Sequence, residues 1–264
     1  MKLFNSGSGS EASRAGIFYK HTKVFRRMNI RSIDLNTKFV FLFITYCTSM
    51  TPKHIFIIIL ALCSIVVYGQ KSELKNKQYI FFLHNKFLED HSADEAHPKY
   101  GIVEYEKVLH QLKDSSNVVL FEKRKPNTDP VVYARKIKKQ MDRLMKKGVK
   151  AENITVVGTS QGGYIAQYIS YYQKNPELKF VFIGASFKDD SLEKDPDFKL
   201  YGRILSITEK SDDGHVQLSE EQRFTRSDIK DFKEIELNTG LNHGFLFKAL
   251  DAWILPTKEW INRK

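Results

Sequence analysis

ITVVGTSQGGYIAQYISYY, residues 154–172, runs from a β-branched strand-like stretch into a helix-like stretch rich in tyrosine and isoleucine, through the six residues GTSQGG. A serine at the apex of a sharp strand-to-helix turn has its hydroxyl pushed out beyond the sheet edge, where the first helical amides point at whatever it attacks. Gly158 and Gly162 stand two residues to either side of Ser160. Both positions call for a missing Cβ, because the apex backbone is strained and strand and helix crowd together there. Ser160 is therefore the candidate nucleophile.

Downstream, the strand-like RILSIT (203–208) leads into EKSDDGH, which puts Asp212 and Asp213 just past a strand end. A further strand-like stretch, FKEIEL (232–237), leads into NTGLNHGF, which puts His243 in a turn before a C-terminal helical pattern. Nucleophile, acid and histidine thus follow in that order. His215 is the competing base, but it stands two or three residues from the aspartates and reads as solvated loop. Between the aspartates, counting from Ile207 favours Asp212 as the one that points back over the sheet edge. Asp213, beside Gly214, is expected to serve its own turn. Asp213 and Glu209 stay open as alternatives for the acid.

With GTSQGG, EKSDD after a late strand and LNHGF near the end, residues 77–264 resemble the α/β-hydrolase superfamily, in particular a small, cap-less, esterase-like member. The resemblance implies a Ser160, His243 and Asp212 triad that cleaves a carboxylic ester or related acyl bond through an acyl-enzyme, with no cofactor and no metal. It also implies two backbone donors for the oxyanion: the amide of Gln161, and one from the loop after the first strand. Many members carry a histidine-glycine pair in that loop and use the next amide. Here Asn85 follows His84, and the donor role carries over by position to Lys86. Asparagine tolerates left-handed backbone, so the turn is expected to survive the change. The altered loop leaves a second reading in view, a non-catalytic binding protein on the same fold.

The same loop concentrates His84, Glu89, Asp90, His91, Asp94, Glu95 and His97 within fourteen residues. No four-residue or two-residue step recurs that would set both histidines on one face, so zinc is not expected and the acidic residues read as solvated. The formal net charge is +11. Residues 1–69 hold nine Lys/Arg against two Asp/Glu, leaving 33 against 29 in the rest. Much of that remaining excess lies on VVYARKIKKQMDRLMKKGVK, where Tyr133, Ile137, Met141 and Leu144 mark a buried face and the cations its solvent face. Interleaved aromatics are missing, so nucleic acid is not an expected partner. The partner implied is a small acyl ester.

IFIIILALCSIVVY, residues 55–68, is a fourteen-residue apolar run after Lys53 and His54, short for a membrane span and suited to a signal-peptide core. Residues 50–69 then read as the signal peptide, with cleavage between Gly69 and Gln70, export of the mature protein, and Met50 as a natural start. Residues 1–49 read as an unstructured or untranslated extension. An uncleaved anchor formed by residues 55–68 is the alternative, and it would be the only membrane contact. Both cysteines, Cys47 and Cys63, precede the cut. Residues 70–264 therefore have neither a disulfide nor a thiol nucleophile.

In residues 70–264 six strand patterns (79–83, 118–122, 154–157, 180–183, 204–207, 233–237) alternate with helical ones. Such alternation predicts a single-domain α/β-hydrolase fold, a mostly parallel sheet of about six strands with helices on both faces. Gln70 to Lys77 leaves almost no room for the family's opening hairpin. Residues 184–203 are too few for a multi-helix cap, so an open site is expected, flanked by Phe187, Phe198 and Tyr201.

Overall fold

The computed structural model describes residues 75–188 and 190–264, together with Thr51, Lys53, Phe56 and Ile58. The expected extension, signal peptide and cleavage site, with both cysteines, fall outside the described residues apart from those four. The chain divides into residues 1–62 and residues 63–264. Only the second unit is described below. Among the described residues no helix is long and apolar enough to cross a membrane.

Six strands form one sheet: β1 (Gln78–Leu83), β4 (Asn117–Phe121), β5 (Ile154–Thr159), β6 (Lys179–Ile183), β7 (Tyr201–Glu209) and β8 (Asp228–Leu237). Their order is β4-β1-β5-β6-β7-β8, and every pairing is parallel. Two further two-residue strands, β2 (Ala96–His97) and β3 (Gly101–Ile102), pair as a small antiparallel ribbon in the loop after β1.

Alternation along the central strands divides the core in two. Phe81, Val156, Phe180 and Ile204 project to one face, against α3 (Pro130–Lys146) and α4 (Gln161–Gln173). Ile80, Val157, Val181 and Leu205 project to the other, against α2 (Tyr105–Leu112) and α7 (Asp251–Asn262). Strands buried on both faces read as continuous apolar runs, as YIFFL and FVFI do. On the basic helix Tyr133, Ile137 and Met141 are buried and Leu144 packs at the edge, so its cations face water as its periodicity requires. Asp129 caps its first turn, accepting from Val132 N at 2.8 Å, with Pro130 at the first helical position.

The connections decide where a site can form. From β1 the chain crosses through α2 to β4 on one side. From β4 it returns past β1 through α3 to β5 on the other. A right-handed crossover puts helices for leftward and rightward steps on opposite faces, which is the division seen in the core. The strand order reverses between β1 and β5, and the crevice beyond their carboxyl ends is the topological switch point.

One expectation fails at the C-terminus. The pattern Phe245–Ile254 predicts a single helix, whereas a 3₁₀ turn, Asn242–Phe247, comes first and α7 starts only at Asp251. Glu104 causes the break: its backbone N–H donates to Phe247 O at 2.8 Å and its carboxylate accepts from Ala249 N at 3.2 Å, drawing Lys248 into extended conformation.

Candidate active site

Ser160 stands between β5 and α4 at φ 50°, ψ −120°, a conformation that costs a non-glycine residue about 1–3 kcal/mol. Its neighbours hold it there. Ser160 N donates to Ile183 O at 2.8 Å, and Tyr164 N donates to Ser160 O at 3.0 Å. A Cβ on Gly158 would lie 2.3 Å from Gly162 O, and one on Gly162 would lie 2.0 Å from Leu83 O. Neither clash is with a movable side chain, so both glycines are required for α4 to start against β1 and β5.

His243 arrives from the 3₁₀ turn after β8. Asn242, just before it, adopts the left-handed conformation at φ 51°. Its ring spans the two other residues: Nδ1 is 2.6 Å from Asp212 Oδ2 and Nε2 is 2.9 Å from Ser160 Oγ. An ionised carboxylate only accepts, so the proton sits on Nδ1 and the free Nε2 lone pair accepts from the serine hydroxyl. Asp212 is buried and Asp213 is exposed, so of the two aspartates it is Asp212 that meets the histidine. His215 turns elsewhere, with Nδ1 2.7 Å from Asp212 O and Nε2 3.4 Å from Glu236.

Glu209, at the end of β7, does not reach the histidine. Its buried carboxylate accepts from Thr239 N and Oγ1, Gly240 N, and Ser211 N and Oγ, at 2.7–3.3 Å. Ser211 Oγ in turn accepts from Asn242 N at 3.0 Å. Burial pushes the Glu209 carboxyl up, but these hydrogen bonds outweigh it and hold it below the usual glutamate value.

On the other side of Ser160, the loop after β1 carries α1 (Phe87–Asp90). Asn85 is not left-handed: the non-glycine residues described with positive φ are Asn127, Ser160, Lys174 and Asn242. It serves instead as a cap, its Oδ1 accepting from Leu88 N at 3.1 Å. The acidic residues of this loop are not all solvated either. Glu89 is 2% exposed and paired with Arg124 at 3.0 Å. Lys86 pairs with Glu89 at 2.7 Å and with Asp90 at 3.2 Å.

A cleft of about 650 Å³ opens beside Ser160 and His243 and runs along this loop past Lys86. Ring pairs wall it: Phe87 stacks on His91 and His97 on Tyr100, with centroids 4.3 and 4.6 Å apart, and Phe247 closes the group. His97 Nδ1 accepts from Lys99 N and Tyr100 N, so its proton is on Nε2. Among the described residues no group of three or more His, Cys, Asp or Glu could hold a metal ion.

Of the aromatics expected to flank the site, only Phe187 does so, 5.7 Å from the His243 ring. Phe198 is buried on the α3/α4 face against Tyr168 and Tyr171. Tyr201 opens β7 at the amino end, where its backbone meets Ser170 Oγ. Neither shift was readable locally, because both depend on how residues 184–200 fold back onto α4.

A parallel sheet with Ser160 in a strained turn after its β5 strand, and an acid and a histidine delivered after β7 and β8, is a specific combination. The fold is that of the α/β hydrolases. No protein-family model matches the chain, and no curated protein does. Solved structures similar to this chain include Arabidopsis thaliana SOBER1, at 15% identity over 71% of this chain and 98% of that one, TM-score 0.48. A Bacillus cereus carboxylesterase matches at 14% identity over 71% and 89%, TM-score 0.44. A lipase-esterase related protein from Clostridium acetobutylicum matches at 14% over 71% and 96%, TM-score 0.45.

Proposed function

We propose that this α/β-hydrolase-fold protein is a serine hydrolase acting on carboxylic esters, and that it is exported. The observation that carries the reading is the continuous chain from Ser160 Oγ through His243 to Asp212, at 2.9 and 2.6 Å, at the mouth of the cleft. Ser160 Oγ attacks the acyl carbon while His243 Nε2 takes its proton. Asp212 keeps the ring in the productive tautomer and stabilises the imidazolium that forms. The alcohol leaves with the proton from His243, and water then repeats the sequence on the acyl-enzyme.

The developing oxyanion is assigned to the amides of Gln161 and Lys86. As the first residue of α4, Gln161 has no intrahelical acceptor for its N–H, which leaves it available. The chemistry of the cleft supports an uncharged substrate. Lys86 is paired with Asp90, the Glu95 carboxylate is 2.6 Å from His91 Nδ1, and the walls are ring faces and edges.

Treating the full-length protein with a fluorophosphonate probe, while screening short and aryl acyl esters, tests the assignment. Ser160→Ala should lose labelling and drop turnover by several orders of magnitude. Labelling that persists in the variant would sink it. For export, N-terminal sequencing of secreted material should begin at or near Gln70, and full-length protein in the membrane fraction would favour the anchor.

A further inference from the structure

Arg124 lies three residues beyond β4, in the basic stretch EKRK, yet it is 2% exposed. Four of its contacts converge on the loop after β1. Its Nε donates to Glu89 Oε2 at 3.0 Å, and its Nη2 donates to His84 O at 2.6 Å and Asn85 O at 3.2 Å. Its backbone N donates to His84 Nε2 at 2.8 Å. His84 Nδ1–H in turn donates to Asn85 O at 2.7 Å. The other Glu89 oxygen accepts from Lys86 Nζ at 2.7 Å and Thr128 N at 3.2 Å.

Asn85 O belongs to the same rigid plane as the N–H of Lys86. A trans peptide points its C=O and N–H in opposite directions, so two donors fixing the carbonyl inward also fix the amide outward. Lys86 and Ser160 both line the cleft. We propose that Arg124, held by Glu89 and seconded by His84, is a positioning residue that aims the Lys86 amide at the oxyanion. The proposal rests on the reading of Ser160 as nucleophile and Lys86 as second donor.

A second buried arginine provides the contrast. Arg223, 0% exposed, pairs with Asp190 at 2.8 Å and with Glu221, tying together the segments before α5 (Ser191–Lys194) and α6 (Gln222–Thr225). It touches no peptide of the site. A buried ion pair is a poor device for stability alone, since apolar residues of similar volume serve as well. Arg124 is distinguished by donating to two consecutive carbonyls of the loop that carries the amide.

The test compares Arg124→Met, Glu89→Gln and Arg223→Met in the full-length protein, measuring kcat, KM, thermal midpoint and affinity for phenylboronic acid. The boron of that probe accepts the serine oxygen to form a tetrahedral anion. Arg124→Met should lower kcat on the order of 10²- to 10³-fold, the effect of losing one oxyanion donor, and weaken the boronate by a comparable factor with KM changed less than about threefold. Arg223→Met should lower the midpoint with kcat within about threefold of the parent. A folded Arg124→Met with parental kcat and boronate affinity overturns the proposal, as does equal loss of kcat in both arginine variants. If Arg124→Met does not fold, Glu89→Gln decides: it keeps the volume but loosens the guanidinium, and a parental kcat overturns the proposal. Ser160→Ala on the same substrate keeps the two readings apart. Turnover surviving in that variant refutes the nucleophile, whereas its loss beside a fully active Arg124→Met refutes the positioning role alone.

Discussion

The loops after β1 and β7 flank Ser160 from opposite sides of β5, and each is anchored by one buried carboxylate, yet the anchors differ in kind. Glu89 is held by two cations, Arg124 and Lys86. Glu209 has no ion pair among the described residues and is held by neutral donors from Ser211, Thr239 and Gly240. An ionic anchor suits a loop that has to be gripped by its carbonyls, because only a cationic donor with several N–H groups can satisfy a carboxylate and two peptides together. A neutral anchor suits the β7 side, where one acceptor has to collect the hydroxyls and amides of two loops. It thereby fixes the spacing between Asp212 and His243, the two residues those loops deliver.

The largest effect that can break this comparison concerns which residue of the β7 loop is the acid. Asp212→Asn should lower kcat by about 10³- to 10⁴-fold with an unchanged thermal midpoint, because the histidine tautomer is lost. Asp213→Asn should change it by less than about tenfold. The reverse ranking, read from initial rates on one ester, would give the role to Asp213.

Glu209→Gln comes next. The replacement turns an amide N–H₂ toward donors, so hydrogen bonds assisted by charge disappear and one group is left facing its like. A loss of about 1–3 kcal/mol in urea unfolding is expected, with a fall in kcat smaller than that of Asp212→Asn. A variant as stable as the parent would mean that the neutral anchor carries no weight.

The last effect is one of pH. Burial first, and the adjacent Arg124 second, push the His84 imidazole down to about 4. The unfolded chain takes up that proton near 6.5 and the folded protein only near 4, so the stabilisation is complete above pH 6.5 and is lost as pH falls toward 4. Its full extent is on the order of 3 kcal/mol. The Glu89 and Glu209 carboxyls, both held below 4.5 in spite of burial, lose their share only below that value. An unfolding free energy flat from pH 6.5 to 4.5 would show that His84 titrates as if exposed.

The four central strands, β1, β5, β6 and β7, were legible because burial on both faces writes long apolar runs, and α3 was legible because its period is carried by Tyr133, Ile137 and Met141. The turn holding Ser160 was legible for a different reason: two glycines at fixed offsets record backbone clashes that no other residue avoids. Glu89 and Arg124 were not. One stands in an acidic cluster and the other in a basic one, both of which look solvated, and they become a buried pair only because β1 and β4 are neighbours. The capping role of Asn85 escaped as well, since its departure from glycine pointed to φ rather than to its side chain.

Period and turn chemistry are properties of the chain as written, because each depends on residues within a few positions of one another, and the order of Ser160, Asp212 and His243 is read directly from the sequence. The meeting of Asp212 with His243, the aromatic cleft beside Ser160 and the two carboxylate anchors belong to the folded molecule. They join residues about 30 or more positions apart, and strand order rather than local pattern decides which of those come into contact.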